Sequence, residues 1–584
     1  MNLAEVQRIV LLIFLGVLVY LLIQAWNTDY GMANRIVEDQ RAPMVEQDQR
    51  LEEVSEIDAI GPTRDSGEIE NDLPDSTEFA PAAIEQRATT FPSSQPRLIK
   101  VETPTLRVWI DRVGGDIVGA HLPKFPVSLD RKDVPTTILD QSPTHTYVAQ
   151  SGLIGPDGPD DGRDRPIYQT GRESYVINQG KRTIELEFVE NGITFIKRFT
   201  FDADSYLVEV DYEVQNRTTR TLSYRFFAQL KRDNKIIESN DVMLGMRSFH
   251  GVATTTDESR YEKFDFDDLE ESYFDDLEEP FRSAMNGGWI AFLQHYFLSA
   301  WVGSPEQNNG YYAERRVSGL YVAGFQAPPQ TTPPGATGKA GSILYVGPKD
   351  QKVLEEIAPN LNLTIDYGFL WWLAAPLFFV LDQIWELVGN WGVAIIILTL
   401  LIKGAFLPLS AASYRSMAKM RQVQPQMKRL QERYGGERQK LGQEMMALYK
   451  REGANPFGGC LPMLLQLPVF ISLYWVLFES VELRQAPFAL WLQDLAAMDP
   501  YFVLPILMGA SMYATTALNP TMPDPMQQKM MKMMPIVFTV LFLWMPSGLV
   551  LYWLVNNILS FAQQYYVTKK TGGKFFGDRL PPSN

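Results

Sequence analysis

Cysteine and histidine are both scarce in this chain, and their scarcity excludes several kinds of chemistry. Among 584 residues there is one cysteine, Cys460, so neither an intrachain disulfide nor a multi-cysteine metal site can form. The histidines stand far apart and show no metal-ligand spacing such as H-E-x-x-H: His121, His145, His250 and His295. A P-loop and a nucleophile elbow are also missing. We therefore predict no metal, no cofactor and no enzymatic activity.

Charge is distributed unevenly along the chain, whose net charge is −16. Residues 27–390 hold 34 of the 53 Lys and Arg but 58 of the 69 Asp and Glu, a net of −24, so the rest of the chain carries +8. An acidic half beside a basic half made of short segments between apolar runs is typical of the two sides of a membrane. The acidity also argues against a specific nucleic-acid partner.

Two segments precede the first strand pattern. The apolar run IVLLIFLGVLVYLLI at 9–23 is long enough for a membrane anchor, and no small-x-small cleavage site follows it in a good position. We therefore predict an uncleaved N-terminal transmembrane anchor over 1–26. Residues 27–97 are rich in Asp, Glu, Gln, Pro and Ser, and such a composition cannot bury enough apolar surface to offset the entropy of ordering. They are predicted to be a flexible acidic linker.

Residues 98–360 have the pattern of an all-β domain. TIELEFVE and ITFIKRFTF alternate apolar and polar residues on either side of Asn191-Gly192, a pair that readily takes the positive φ values of a type I′ turn. Further alternating runs follow at SYLVEVDYEV and LSYRFFAQL. Many short strands with few helical windows predict a β-sandwich.

Apolar runs crowd together after residue 365. Residues 361–389 are predicted to be an interfacial amphipathic helix, because Pro376, Asp382 and Glu386 interrupt the apolar pattern and its tryptophans suit the headgroup zone. Residues 390–568 are predicted to be the membrane core, with spans near 390–410, 461–481, 501–518, 532–545 and 548–567.

The topology follows from the loop at 411–460, which holds ten Lys or Arg and four Glu. The positive-inside rule assigns that loop to the cytoplasm. Six spans, counting 1–26, then leave the acidic domain outside and both termini inside, including the tail 569–584. Counting 367–388 as another span would break this parity. The predicted fold is multi-domain, with a polytopic α-helical membrane bundle and a large all-β domain.

Lys403 is the most informative residue of the predicted spans. A cation in the cytoplasmic half of a span costs about 2.5 to 3.5 kcal/mol, so it faces water, a partner or a cavity, unless its stem snorkels to the headgroups. Tyr552, Asn556, Ser560 and Gln563 share one face of the last span. Other polar residues that could line the same space are Thr399, Gln466, Ser472, Tyr474, Ser511, Tyr513 and Thr515. Interhelical hydrogen bonding is the alternative, but a lysine with a polar stripe favours a hydrated groove.

The basic loop 411–460 has its own helical pattern. Met420, Val423, Met427, Leu430 and Tyr434 form a heptad seam, Gly435-Gly436 breaks it, and a second helix continues to give an antiparallel hairpin. The seam accounts for self-packing. The basic outer face is a candidate docking surface for a ribosome or a targeting factor: Arg415, Lys419, Arg421, Lys428, Arg429, Arg433, Arg438 and Lys440.

Several stretches resemble the YidC insertases of Gram-negative bacteria, which are related to the Oxa and Alb proteins of organelles. They include GWIAFLQHYFLSAW, QEMMALYKREGANPFGGCLPMLLQLPVF, DPMQQKMMKMMP and FLWMPSGLVLYWLVNN. The resemblance implies a five-helix core around a hydrophilic groove, a periplasmic β-supersandwich, and insertion and folding of membrane proteins, alone or beside the Sec translocon. Lys403 stands where the family typically has arginine, and Tyr552 and Trp553 match its aromatic pair for contacts with client proteins.

The resemblance also implies location and partners. We expect a multi-pass protein of the bacterial inner membrane with its large domain in the periplasm. Its expected partners are nascent membrane proteins, the lipid bilayer and the Sec translocon, with ribosomes or signal-recognition components left open. Two alternatives compete with the insertase: a transporter or channel, which predicts an internal repeat, and a membrane-anchored glycan-binding protein.

Overall fold

The computed structural model describes residues 97–160, 165–235, 242–243, 246–274, 280–453, 461–518 and 525–570. The predicted anchor at 1–26 and nearly all of the predicted linker at 27–97 and tail at 569–584 lie outside these residues. The described residues belong to one compact unit, 69–584. Within it, a β-rich part is followed by a helical part.

The strands of the β-rich part are, in chain order, β1 Leu98–Glu102, β2 Arg107–Asp111, β3 Ile117–Ser128, β4 Arg131–Ser142, β5 His145–Ile154, β6 Ser174–Val176, β7 Lys181–Glu190, β8 Ile193–Asp202, β9 Leu207–Asn216, β10 Leu222–Arg232, β11 Val242–Met243, β12 Met246–Arg247, β13 Gly251–Thr254, β14 Glu262–Asp265, β15 Phe281–Asn286, β16 Trp289–Leu293, β17 Phe297–Val302, β18 Asn308–Arg315, β19 Tyr321–Gln326, β20 Gln330–Thr332 and β21 Thr337–Pro348. One short helix, α1 Phe266–Phe274, interrupts them.

Two large sheets form a sandwich. The larger has the order β15-β18-β19-β10-β5-β4-β3-β2-β1-β6 with β20 paired to β10, and the smaller has the order β14-β13-β16-β17-β21-β9-β8-β7. Aromatic side chains of the two sheets meet in the core, as in the edge-to-face pair of Tyr147 and Phe292, whose ring centroids are 6.0 Å apart. The predicted β-sandwich is confirmed.

The Asn-Gly hairpin is formed as the sequence predicts. Strands β7 and β8 pair in antiparallel register from Lys181 opposite Asp202 to Glu190 opposite Ile193. Asn191 has a φ of 49° and Gly192 a φ of 80°, so both turn residues are in the left-handed region that a type I′ turn requires.

A buried ionic cluster lies inside the sandwich. Arg165 donates from Nε to Oδ1 of Asp160 at 2.7 Å and from Nη1 to Oδ2 of Asp116 at 3.0 Å. The fully buried Lys197 ammonium donates to two backbone carbonyl oxygens, at 3.0 and 3.1 Å. Burial lowers the pKa of Lys197 from 10.5 to about 7. The negative charge of Asp116 raises this pKa, and the positive charge of Arg165 lowers it further.

Lys197 should make the stability of the sandwich depend on pH between about 7 and 10.5. In that window the unfolded chain holds a proton that the folded chain has lost, so stability rises with pH by at most about 1.4 kcal/mol per unit. Below pH 7 both states are protonated and the dependence from this group ends. The free energy of unfolding of the full chain, measured at pH 7, 8 and 9, should therefore rise less with pH, or fall more steeply, for Lys197→Met than for the wild type. Parallel pH curves for the two proteins would contradict the assignment.

The helices of the second part are α2 Gln351–Ile357, α3 Trp371–Val388, α4 Trp391–Ala405, α5 Leu407–Tyr434, α6 Arg438–Glu452, α7 Leu461–Glu479, α8 Val503–Ala517, α9 Pro525–Leu541 and α10 Ser547–Lys570. Helices α4 and α5 are bent by 66° at their junction. Helix α4 therefore ends at Ala405, before the end of the predicted span at 390–410.

Within the described residues, one helical segment, 368–388, is long and apolar enough to cross a membrane, and the bent pair of α4 and α5 is a second if taken as one span. Helical segments 466–479 and 503–517 are apolar but shorter. Segment 368–388 contains α3, which the sequence predicts to be interfacial. Lys352 on α2 donates to Asp382 and Glu386 of α3, both at 2.8 Å, so α3 folds back along the segment that leaves the sandwich.

The sandwich packs directly on the end of helix α7. His295, in the turn between β16 and β17, donates from Nε2 to the carbonyl oxygen of Phe478 at 2.9 Å. The buried side chains of Lys349 and Glu479 face each other with 4.0 Å between Nζ and Oε2. Val481, two residues beyond α7, belongs to the apolar core of the sandwich. The two parts therefore share a continuous interface.

Candidate functional site

Lys403 lies near the C-terminal end of α4 and faces two other helices of the bundle. Its Nζ donates to Oγ of Ser560 on α10 at 2.8 Å and to Oε1 of Gln466 on α7 at 3.2 Å. The residue is only 6% exposed. Within the part of the chain that the structure describes, Lys403 makes no ion pair, and the acceptors of these two hydrogen bonds are neutral oxygens.

Gln466 joins the lysine to the polar face of α10. Its Nε2 donates to the hydroxyl of Tyr552 at 3.3 Å and also to Oδ1 of Asn556. Ser560 donates in turn to the carbonyl oxygen of Asn556 at 2.7 Å. Residues at spacings of four on α10 thus contact either Lys403 itself or Gln466, which bonds Lys403, as the helical period predicts. These five residues are named here the Lys403 network.

Other predicted groove residues lie close to this network in the chain. Thr399, one turn before Lys403, is buried and donates to the carbonyl oxygen of Ile395 in its own helix at 2.7 Å. Ser472 and Tyr474 are buried on α7. Trp553 packs edge-on against Phe470, with 4.4 Å between ring centroids. Gln563 lies one turn beyond Ser560 on α10.

A second polar contact joins α8 to a neighbouring face of α10. Ser511 accepts a hydrogen bond from Nδ2 of Asn557 at 3.2 Å, and Thr515 donates to the carbonyl oxygen of Ser511 at 2.9 Å. Gln564 donates to the carbonyl oxygen of Leu518 at 3.2 Å. Tyr513 is 62% exposed. Ser511 and Thr515 thus bond Asn557 and their own helix, and their place in the predicted groove, like that of Tyr513, stays a prediction.

Asn557 and Gln564 were missed by the sequence reasoning, although a signal was present. Each directly follows a polar residue, in the pairs Asn556-Asn557 and Gln563-Gln564. Adjacent residues on a helix point about 100° apart, since one turn takes 3.6 residues. Paired amides therefore predict two polar faces on α10 rather than one.

The loop between α7 and α8 closes over the helix ends opposite Lys403. Asp499, 1% exposed, accepts hydrogen bonds from Nε1 of Trp491 at 3.0 Å and from the backbone N–H groups of Tyr501 at 3.0 Å and Leu504 at 2.7 Å. The N–H of Ser547 donates to Ala497 O at 2.7 Å, which ties the loop to the start of α10. Asp499 was also missed, and its signal was an acidic residue just before an apolar helix.

The helical hairpin predicted at 411–460 is formed by α5 and α6. Val423 and Met427 pack with Leu448 and Tyr449 in a separate small core. Predicted docking residues that are exposed are Arg415, Lys419, Lys428, Arg429, Arg433 and Lys440. Arg421 instead donates to the carbonyl oxygen of Leu518 at the end of α8. The side chain of Arg438 lies outside the described residues.

Comparison with known proteins connects both parts to one family. Residues 98–380 match the family described as the YidC periplasmic domain, and residues 383–574 match the family described as the 60Kd inner membrane protein. The membrane protein insertase YidC of Marinobacter nauticus is 46% identical over 98% of this chain and 100% of its own length. This chain belongs to the YidC family of membrane protein insertases. The YidC of Stutzerimonas stutzeri is 44% identical over 97% of this chain and 98% of its own length.

Among solved structures, an active YidC insertase with its first transmembrane domain resolved covers 81% of this chain and 93% of its own, at 17% identity and a TM-score of 0.37. The family predicted from the motifs and the insertase function are confirmed by the named relatives. YidC membership makes this an inner-membrane protein with a periplasmic β-sandwich, and it implies membrane-protein clients and a bilayer. The relatives are named as insertases and not as enzymes, and neither a transporter nor a glycan-binding protein gains support.

Proposed function

We propose that this insertase moves polar and acidic segments of its client proteins through a groove centred on the Lys403 network, with no covalent bond made or broken. Lys403 carries this proposal. Its ammonium is buried where three helices meet, and it donates its hydrogen bonds to neutral oxygens. A buried cation without a counter-ion is costly, which favours a role for it toward an anion that arrives with the client.

The groove lowers two costs of crossing. A polar segment meets a steep desolvation barrier in hydrocarbon, and hydroxyl and amide groups that replace part of its water shorten the dry distance. A client carboxylate within about 4 Å of Lys403 would gain about 4 kcal/mol at an effective dielectric constant of 20. The loop held by Asp499 lies across the periplasmic ends of α8 and α10, so a client enters from the cytoplasm and from lipid.

We also propose six spans with both termini in the cytoplasm: the anchor at 1–26 and helices α4, α7, α8, α9 and α10. Helix α3 then lies along the outer membrane surface. Lys352 precedes α3 and pairs with Asp382 and Glu386, which stand in its second half. A helix that crossed the bilayer would carry those two carboxylates away from Lys352. The exposed tryptophans Trp371 and Trp372 suit the headgroup zone.

Partners other than clients are proposed from charge and from the family. The exposed basic residues of α5 and α6 form a surface that would attract the phosphates of a ribosome or an acidic face of a signal-recognition component. Work beside the Sec translocon rests on the family resemblance. Both roles are additional to autonomous insertion by the Lys403 network.

Insertion of a small single-span client with an acidic tail, into vesicles that contain only this purified protein, tests the groove. Lys403→Ala should insert at least tenfold less client than the wild type, which corresponds to about 1.4 kcal/mol of lost barrier lowering. Lys403→Arg keeps the charge and should stay within about threefold.

Lys450→Ala is the matched control, since Lys450 is an exposed lysine of α6 outside the Lys403 network. It should insert client as well as the wild type. If Lys403→Ala and Lys450→Ala behave alike, Lys403 does not act on the client. If the wild type itself inserts no client, the autonomous insertase is excluded.

A further inference from the structure

The β3–β4 hairpin projects from the sandwich to the level of the helix ends. Arg484 Nη2 and Gln485 Nε2 both donate to the carbonyl oxygen of Pro126 at 2.9 Å, and Arg484 also reaches Val127 O at 3.3 Å. These two polar residues follow the last residue of α7, Glu479, by five and six positions. The hairpin therefore contacts the loop that begins where α7 ends.

That loop lies across the ends of several helices. Phe488 O accepts from Nδ2 of Asn390, the N-cap of α4, at 3.0 Å. Leu495 O accepts from the backbone N–H of Gly548 in the first turn of α10 at 2.9 Å. Leu490 and Tyr501 of the same loop are strongly exposed. Ends of membrane helices with exposed apolar and aromatic side chains lie at the headgroup level, so the hairpin reaches that level as well.

The hairpin tip exposes an apolar pair. Pro126 is paired with Pro135 and Ser128 with Arg131, with a register shift between the two pairs, and Val127 and Val134 adjoin Pro126 and Pro135 on the side of the tip. Both valines are exposed, at 40% and 38%. Phe125, by contrast, packs into the sandwich against Phe297, with ring centroids 5.5 Å apart. Folding of the sandwich thus leaves the two valines uncovered.

The tip is also locally basic on an acidic domain. Lys124, Arg131 and Lys132 are exposed there beside Asp130 and Asp133, a small positive balance, whereas residues 27–390 as a whole are strongly acidic. Exposed apolar side chains flanked by cations are the combination that binds the boundary between headgroups and acyl chains, with extra attraction to anionic lipid. Binding of a soluble acidic partner would be favoured by the cations but not by the exposed valines.

We propose that the tip of the β3–β4 hairpin, residues 124–134, is a membrane contact of the periplasmic sandwich, which rests on the lipid surface of the outer leaflet. The proposal depends on the placement of the helix ends under "Proposed function" but not on the groove. Together with α3, the hairpin gives the sandwich a second support on the bilayer. The hydrogen bonds of Arg484 and Gln485 then hold the sandwich in one orientation relative to the bundle.

Site-specific quenching tests the contact in the full chain. The single cysteine permits a Cys460→Ser background in which Val127→Cys carries a bimane label, with the protein in vesicles of phosphatidylcholine and phosphatidylglycerol. Lipids with a spin label at the headgroup or at a shallow acyl position should quench this label at least twofold more strongly than they quench the control. Replacing Arg131 and Lys132 with glutamate should reduce the quenching in anionic vesicles more than in neutral ones.

Val189→Cys is the matched control. Val189 is another exposed valine next to a hairpin turn. It lies on β7, four strands away in the smaller sheet from β17, the strand that Phe125 of the β3–β4 hairpin contacts. Equal quenching at the two positions, whether weak or strong, overturns the proposal. Client insertion measured on the same labelled samples separates the two proposals, because insertion that persists without quenching at Val127 removes the hairpin contact and leaves the groove intact.

Discussion

Replacing Arg165 with alanine should destabilise the sandwich by about 3 to 5 kcal/mol. Its guanidinium lies between the carboxylates of Asp160 and Asp116, at 2.7 and 3.0 Å, and all three side chains are largely buried. Without it, two carboxylates remain in an interior where water cannot replace the lost hydrogen bonds. Lys197 does not replace these hydrogen bonds, because its side-chain nitrogen is held by backbone carbonyl oxygens of Gly114 and Ser151.

Hydrogen exchange on the full-length protein in detergent measures this loss in the strands themselves. At 1.36 kcal/mol for each tenfold change, protection of β5 and β10 amides should fall by about two orders of magnitude or more. Arg198→Ala is the matched control, since Arg198 bonds Glu185 and Glu213, both at 2.7 Å, in a more exposed setting. That pair of bonds should be worth less than about 1 kcal/mol. Similar losses in the two variants would show that the Arg165 cluster contributes no more than a surface pair.

Asp499→Ala should release the loop between α7 and α8 from the helix ends. Three donors that now bond the Asp499 carboxylate would be left without it, and each buried donor left unsatisfied costs about 1 to 3 kcal/mol. The local stability of the loop should fall by about 3 kcal/mol or more. The backbone amides of Ser547 and Gly548 bond carbonyls of this loop without contacting Asp499, so their exchange should accelerate by about 100-fold.

Gln493→Ala separates this effect from a general disturbance of the loop. Gln493 is exposed and donates to the carbonyl oxygen of Leu490 within the loop at 2.7 Å. Its removal should leave the exchange of Ser547 and Gly548 unchanged. Unchanged exchange in Asp499→Ala as well would mean that the loop is held by its backbone bonds to α10 alone.

The parts of the fold that depend on local pattern were predictable. Alternating residues around Asn191-Gly192 specify a hairpin, because a strand has a period of two and the turn needs two positive φ values. Tyr552, Asn556 and Ser560 share a face because a helix has a period of 3.6. The same local reasoning identifies Lys403 as a cation that requires polar groups around its side chain.

The pairings across the fold were not predictable in this way. The sequence predicts Ser511 and Asn556 as groove residues, but it does not indicate that Ser511 accepts its hydrogen bond from Asn557, the residue next to Asn556. Arg421 was assigned to an exposed basic face, yet it turns inward to the end of α8. Which face of a helix meets which neighbour depends on how the whole bundle packs. The polar residues of α8 do not by themselves indicate which helix they will contact.

The sequence by itself determined the division into an acidic β-rich part and a basic helical part, the family, and the residue at the centre of the candidate groove. Those features follow from composition, short-range period and motifs, which need no knowledge of distant neighbours. Only the tertiary structure decided that Ser560, 157 residues from Lys403, is its acceptor, and that the sandwich packs on α7 through His295. Such contacts form between distant chain segments that packing brings together. The free energy that favours each contact depends on the residues of both segments.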